Sequence, residues 1–291
     1  MSEIVRTVLG DVEPLSLGVC DAHEHLLLVS PLLPGDELDD ADVAVAQGQS
    51  LFAAGARAVV EWTPIGLGRD VRGLERVSRE SGLHLVASTG LHRDVHYPQE
   101  HWARNEPVEA LAELFARELL EGVDGTPIRA GVIKCGAGYH RTTSFEQTVL
   151  AAAAEAHLRT GAPLCVHTEV GTLGPELLDL LGAHGVRPQS VVLAHLDRNP
   201  DPGLHRELVA AGAWLAYDRP GRIKYGPDSE VLDLIAAVGP ARILLGGDHS
   251  RRNEHPIEYL FRRFVPRLDD GVAGRILVDN PARAFAWEPP A

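Results

Sequence analysis

The chain has no long hydrophobic run. A membrane helix needs about 18 or more consecutive apolar residues, and an uncharged stretch such as Leu208–Tyr217 is too short and holds Gly212 and Trp214. The first residues, MSEIVRTVLGDVEP, show no basic segment followed by an apolar one, so no signal peptide is readable. Cysteine is scarce: Cys20, Cys135 and Cys165 give neither a zinc-ribbon spacing nor a disulfide framework, which fits a reducing, cytoplasmic setting. Positive charge is in deficit, with 27 Lys and Arg against 41 Asp and Glu and a net charge of −14, so nucleic acid is not an expected partner. Low-complexity segments, charge blocks and Ser/Pro-rich linkers are also lacking, so nothing divides the 291 residues, and 1–291 reads as a single domain.

Against these absences stand 45% hydrophobic residues, enough for a sizeable core, and 14 His, more than the Phe and Tyr together. Short apolar runs alternate with longer segments of helical spacing. The strand-like runs are Leu17–Asp21, Arg57–Trp62, Leu83–Gly90, Arg129–Lys134, Pro163–His167, Ser190–His195, Ala213–Asp218 and Arg242–Gly246. Between and after them lie helical patterns at Ala41–Ala54, Val71–Ser81, Val108–Glu121, Phe145–Arg159, Glu176–His184, Gly203–Ala211, Ser229–Val238 and Ile257–Arg267. Ser144 with Gln147 makes a candidate capping box for the fourth helix. Eight strand–helix pairs in about 250 residues is the count of an α/β (β/α)8 TIM barrel. The competing open doubly wound sheet is weakened because no G-x-G-x-x-G follows the first strand. Residues 1–16 read as a small N-terminal hairpin closing the barrel bottom, and 271–287 as a C-terminal helix and tail.

In such a barrel the site lies at the C-terminal ends of the strands. Strand one runs into Asp21-Ala22-His23-Glu24-His25, and its two His, two residues apart, share one face of an extended chain. Strand four ends in Lys134 after an apolar run. A Lys there is an ion-pair partner, a Schiff-base amine or a carbamate, and the residues alone do not choose. Strands five and six end in His167 and His195, and strand eight leads to Asp248, a group that also suits a helix N-cap. Four imidazoles, a Lys and a carboxylate exceed one tetrahedral zinc, so two metal ions are the better reading. Imidazole and carboxylate suit Zn foremost, with Mn, Co or Fe as alternatives.

The strings CDAHEHL, GVIKCGAGY, PLCVHTEVGT, SVVLAHLDRNPD and RILLGGDHSRR, from the TVLGDV opening to DNPARAFAW, resemble the phosphotriesterase family of the amidohydrolase superfamily. The resemblance implies that His23, His25 and Asp248 bind the more buried metal, and His167 and His195 the more exposed one. It implies that Lys134 is carboxylated by CO2 and bridges the two. A bridging hydroxide would then be the nucleophile, with Asp248 passing its proton to the leaving group. It also implies a small-molecule substrate and a homodimer.

Family membership does not name a substrate; relatives cleave lactones, phosphosugar lactones, organophosphate triesters or N-acyl amino acids. The loops after strands seven and eight carry Arg219, Arg222, Lys224, Arg251 and Arg252, five basic residues in an acidic chain. Arg forks and Lys point charges suit a phosphate or carboxylate. The strings around Lys224 and Arg251 look like the branch that opens phosphorylated sugar lactones, although the run Asn253-Glu254-His255-Pro256 supplies no Tyr. Tyr97, Tyr139 and His92 are candidates to orient a substrate carbonyl. The expected activity is hydrolysis of a small anionic lactone. The alternatives are amide or phosphoester hydrolysis by the same machinery, or a non-catalytic metal-binding barrel.

Overall fold

Period-two alternation along short apolar strands decides the architecture. In Val191–Ala194, Val191 and Leu193 face a core shared with the helices, while Val192 and Ala194 face a second, inner core. Every residue of that strand is buried, so both faces of the sheet are covered. In the computed structural model, residues 3–252 and 254–290 are described; the outermost residues of the expected 1–291 domain, and Asn253 after strand eight, lie outside them.

Strands β1 (Val5–Thr7) and β2 (Gly10–Val12) form the N-terminal hairpin. The barrel follows as β3 (Cys20–Glu24), β4 (Ala58–Glu61), β5 (His84–Val86) with β6 (Ser88–Gly90), β7 (Val132–Ala137), β8 (Leu164–Thr168), β9 (Val191–Ala194), β10 (Trp214–Tyr217) and β11 (Ile243–Leu245). β5 and β6 are one expected strand interrupted at Ala87, so the eight staves run in sequence and all pair in parallel. The seam between β11 and β3 closes just beyond β11. Asp248 N donates to His23 O at 2.8 Å. Gly246 lies against the same residue, where an added Cβ would meet His23 Cβ at 2.7 Å.

Helices α1 (Ala41–Ala53), α2 (Val71–Ser81), α3 (Val108–Leu120), α4 (Ser144–Thr160), α5 (Gly174–Ala183), α6 (Pro202–Ala211) and α7 (Asp228–Val238) fall within two residues of the expected spans. Asp40, Asp70 and Asp201 cap α1, α2 and α6 by accepting from two backbone N–H groups each. The capping box of α4 lies one residue earlier than expected: Thr143 and Glu146 make it, because the helix starts at Ser144. After β11 the chain turns through a wide π-type segment, Leu260–Phe264, and a short 3-10 turn, Val265–Arg267. The last helical stretch combines α8 (Asp270–Gly274), a second π segment (Arg275–Asp279) and α9 (Asn280–Ala284). Pro281, which has no N–H to donate, sits just beyond that wide turn.

The inner core is plugged from below by Val5, Leu17 and Phe285. Arg6 bonds Asp11 twice and Leu119 O, and Val8 N bonds Leu85 O, which fastens the hairpin under β5. Among the described residues no helix is long and apolar enough to cross a membrane.

Candidate metal centre

Three strands run further than their composition suggests: β3 starts at Cys20 rather than Leu17 and continues past Asp21 to Glu24, which puts His23 within the strand, and two more follow the same pattern. β7 continues past Lys134 to Ala137, and β8 past His167 to Thr168, so both side chains sit inside the barrel mouth rather than at a strand end. His195 and Asp248 lie just beyond their strands with φ of 65° and 48°. Non-glycine residues in that left-handed region cost roughly 1–3 kcal/mol each and persist where surrounding contacts hold them. Here the contact is direct: His195 N donates to Asp218 Oδ2 at 3.0 Å.

The six expected ligands line one cavity of about 200 Å³. His23 Nε2 and His25 Nε2 lie 3.6 and 3.5 Å from Asp248 Oδ1, and this trio has the spacing of a metal site. His195 Nε2 and His167 Nδ1 approach within 2.8 Å.

The other nitrogen of each imidazole is held by an acceptor. His23 Nδ1 pairs with Asp218 Oδ2 at 2.9 Å, and His195 Nδ1 with Asp218 Oδ1 at 2.6 Å. His25 Nδ1 pairs with Thr63 Oγ1 at 2.8 Å, and Thr63 in turn donates to Glu61. His167 Nε2 pairs with Glu169 Oε2 at 3.0 Å. These partners assign the N–H to the outer nitrogen in each case and leave the inner lone pair free for a metal. Two such lone pairs, on His195 and His167, then face each other, an arrangement that repels unless something electrophilic joins them. Burial drives the His167 imidazole well below its ordinary range and His23 to about 3, so both are neutral, as ligands must be. The donor set therefore fits divalent cations.

Lys134 is buried, and its ammonium nitrogen lies 4.2 Å from the centre of the Trp62 ring, on which His23 also stacks. Among the described residues no carboxylate pairs with it, so the ion-pair reading has no partner. Burial lowers its pKa to about 8, which makes the neutral amine accessible near neutrality.

Asp248 is held from outside. Arg198 donates to its Oδ2 and, at 3.1 Å, to Asp218 Oδ1, while Arg222 lies 3.4 Å from the same Asp248 oxygen. Burial would raise the Asp248 carboxyl, yet the Arg222 and Arg198 guanidinium groups hold it well below the usual carboxylate range. Beneath it, Glu24 accepts from His25 N and His249 N, and Asp21 from His23 N and Gly247 N. These two buried carboxyls staple the barrel seam, and burial raises Asp21 to about 8.

The structure sorts the expected substrate residues. Arg222, Lys224 and Arg251 line the cavity. Four others do not. Arg219 turns inward and spends its guanidinium on Tyr225 O and Glu230. Arg252 lies on the outer surface against Asp39 and Glu37 O. Tyr97 is buried, with its hydroxyl between Ile65 O and His92 N, so it packs the loop after β6 rather than facing a substrate. Tyr139 is 61% exposed and outside the cavity. Reasoning from sequence does not single out Arg198, Tyr225 or His96, and it notes Asp218 only beside Arg219, with no role at the site. Asp218 follows β10 directly, so the same inspection of strand ends that finds His195 contains it.

A family model described as "Phosphotriesterase family" matches residues 3–285. The chain is similar to the phospho-furanose lactonase of Mycoplasmopsis agalactiae, 31% identical over 327 residues that span 99% of this chain and 93% of the relative. It is also similar to the crystal structure of a lactonase from Listeria monocytogenes, with a TM-score of 0.93, 29% identity and coverage of 98% of this chain and 99% of that one. The phosphotriesterase homology protein of Escherichia coli, solved with phosphate in its active site, superposes with a TM-score of 0.87 at 30% identity, covering 93% and 99% of the two chains.

Proposed function

The chain belongs to the phosphotriesterase family and is a metal-dependent hydrolase; from that premise we propose that it opens the ring of a small phosphorylated, or otherwise anionic, sugar lactone. One observation carries the choice of substrate. Lys224 stands exposed at the rim of the cavity that holds the ligand set, and among the described residues it has no carboxylate partner. Its neighbours are already engaged, Arg222 by Glu254 through two bonds and Arg251 by Asp36 at 2.9 Å. Lys224 is thus the cation free to meet an incoming anion, with Arg251 beside it. The cavity, about 200 Å³, is small for ligand sites and suits a substrate of five or six carbons better than a bulky triester or long acyl chain. The relatives named for lactones, and the phosphate in the active site of the E. coli homologue, point the same way.

In this reading His23, His25, Asp248, His167, His195 and a carboxylated Lys134 would together hold two divalent ions. When bound, the pair supplies Lewis acidity at the lactone carbonyl and makes a water acidic enough to attack it. The residues of the chain do the rest. Asp218, Thr63 and Glu169 keep the imidazoles in the ligating tautomer. Arg198 holds the outer oxygen of Asp248, which leaves Oδ1 turned to His23 and His25 to take the proton of the attacking water. Water adds to the carbonyl carbon, the ring C–O bond breaks, and that proton passes to the departing ring oxygen. The product is the open hydroxy acid.

The test is proton release by metal-reconstituted protein. The panel is aldonolactones with and without a 5-phosphate, acyl-homoserine lactones, N-acyl amino acids and paraoxon. Phosphorylated lactones should lead, and Lys224→Ala should raise KM for them about tenfold or more, the worth of a charge-assisted bond. Equal turnover of uncharged lactones would remove the anionic substrate; turnover of amides alone would replace the lactone.

A further inference from the structure

The cavity has two unlike walls. In a ring of eight staves, β6 and β10 belong to the third and seventh, so the loops that follow them face each other across the mouth. The loop after β10 brings Arg222 and Lys224. The loop after β6 brings His92 and His96, whose rings lie 4.3 Å apart, with Ser30 against them. On that side the formal charges are already paired: Arg93 lies 2.8 Å from Glu169. What it offers a ligand is neutral imidazole and hydroxyl.

The hydrogen bonds fix which atom is on offer. Ser30 Oγ accepts from Leu32 N at 3.2 Å and lies 2.9 Å from His96 Nδ1. Among the described residues Ser30 Oγ has no other acceptor, so the arrangement that uses its hydroxyl proton within the protein is donation to His96 Nδ1, which would place the imidazole proton on Nε2. That N–H is buried and has no partner, and an unmet buried donor costs about 1–3 kcal/mol. Burial, reinforced by Arg93, keeps the ring neutral by lowering its pKa to about 3.

We propose that His96, set by Ser30 and tilted against His92, is a specificity-determining residue that donates to a ring hydroxyl of the lactone on the wall opposite the cations. This rests on the lactone reading above and deepens it: the anion meets Lys224, the carbonyl meets the ligand set, and the hydroxylated edge meets His96. A hydroxyl supplies the acceptor that a fixed neutral N–H lacks, and a deoxy ring does not.

The test compares a pentono-1,4-lactone 5-phosphate with its 2-deoxy and 3-deoxy analogues in wild type, His96→Leu, His96→Gln and Ser30→Ala. Wild type should favour the hydroxylated lactone over one of the analogues about tenfold in kcat/KM, the worth of one hydrogen bond. In His96→Leu that ratio should fall to near one. His96→Gln, which keeps a donor, should restore part of it, and Ser30→Ala should fall between. Calorimetry on the corresponding open-chain acids should show the same order. A wild-type ratio near one, or an undiminished ratio in His96→Leu, would overturn the inference and leave the lactone reading standing. Failure of wild type to open any of these lactones would overturn that reading, and the inference with it. His96→Gln and a thermal melt separate a lost contact from a lost fold.

Discussion

The two ends of the barrel are built on opposite terms. At the lower end Val5, Leu17 and Phe285 fill the inner core, and the buried cation Arg6 has its guanidinium bonded to Asp11 and to Leu119 O. At the upper end five non-glycine residues, His140, Val170, Leu173, His195 and Asp248, hold left-handed backbone, Asp21 and Glu24 are buried carboxyls with one unpartnered oxygen each, and Lys134 is a buried amine with no counter-ion among the described residues. Each upper feature costs stability by itself. The lower end makes that tolerable, because its packing does not depend on the site. Stability and chemistry are thus segregated along the barrel axis, which is testable by disturbing one end and reading the other.

The largest effect is expected from Lys134→Met. The substitution keeps most of the length of the side chain but removes the amine proposed to become the metal-binding carbamate, so proton release should fall a thousandfold or more. Thermal unfolding should stay level or rise, since a buried ionisable group is exchanged for an apolar one. Substantial residual activity would undo the assigned role of Lys134, and a large drop in melting temperature would undo the division between the two ends. The reciprocal disturbance is Phe285→Ala. Removing a fully buried ring from the lower plug should cost about 3–5 kcal/mol in urea denaturation. KM and kcat of the protein that remains folded should change little. A matching loss of activity would mean that the lower plug positions the upper residues.

The segregation is partly legible in the amino-acid sequence. The eight staves show as apolar runs of the right length, and polar residues that end such runs, His23, His167 and His195 among them, stand out because burial makes them anomalous. Where the sequence misleads, the causes are tertiary. β7 looks finished at Lys134 because Cys135-Gly136-Ala137 resembles a turn. Gly136 is in fact a strand residue squeezed by the next stave: an added Cβ would meet His167 Cβ at 3.0 Å and Arg93 Cγ at 3.2 Å. Arg219 and Arg222 are equally basic, three residues apart in one loop, yet one turns back to Glu230 and the other lines the cavity. Composition carries no sign of which way a loop side chain folds. Arg198 escapes notice for the same reason, since its importance lies in reaching Asp248, fifty residues away.

The smallest of these effects, and the one that best sharpens the comparison, concerns Asp218. It is not among the expected ligands, although with His23 and His195 it forms a group of metal-site spacing, and it accepts from the Nδ1 of both imidazoles. Asp218→Asn keeps the shape while exchanging one acceptor oxygen for an amide that can only donate. Whichever way the amide is turned, one of the two imidazoles meets a donor and is driven to the other tautomer, with its N–H pointing at the metal position. Zinc affinity measured by equilibrium dialysis should fall about 10- to 100-fold, the usual result of losing such a partner. Activity should recover in large part at saturating metal, because every ligating side chain remains. Unchanged affinity would mean that Asp218 serves to hold the backbone at His195 and nothing more. An equal loss of affinity and urea stability would place it with the lower end, as a packing residue that happens to lie near the mouth.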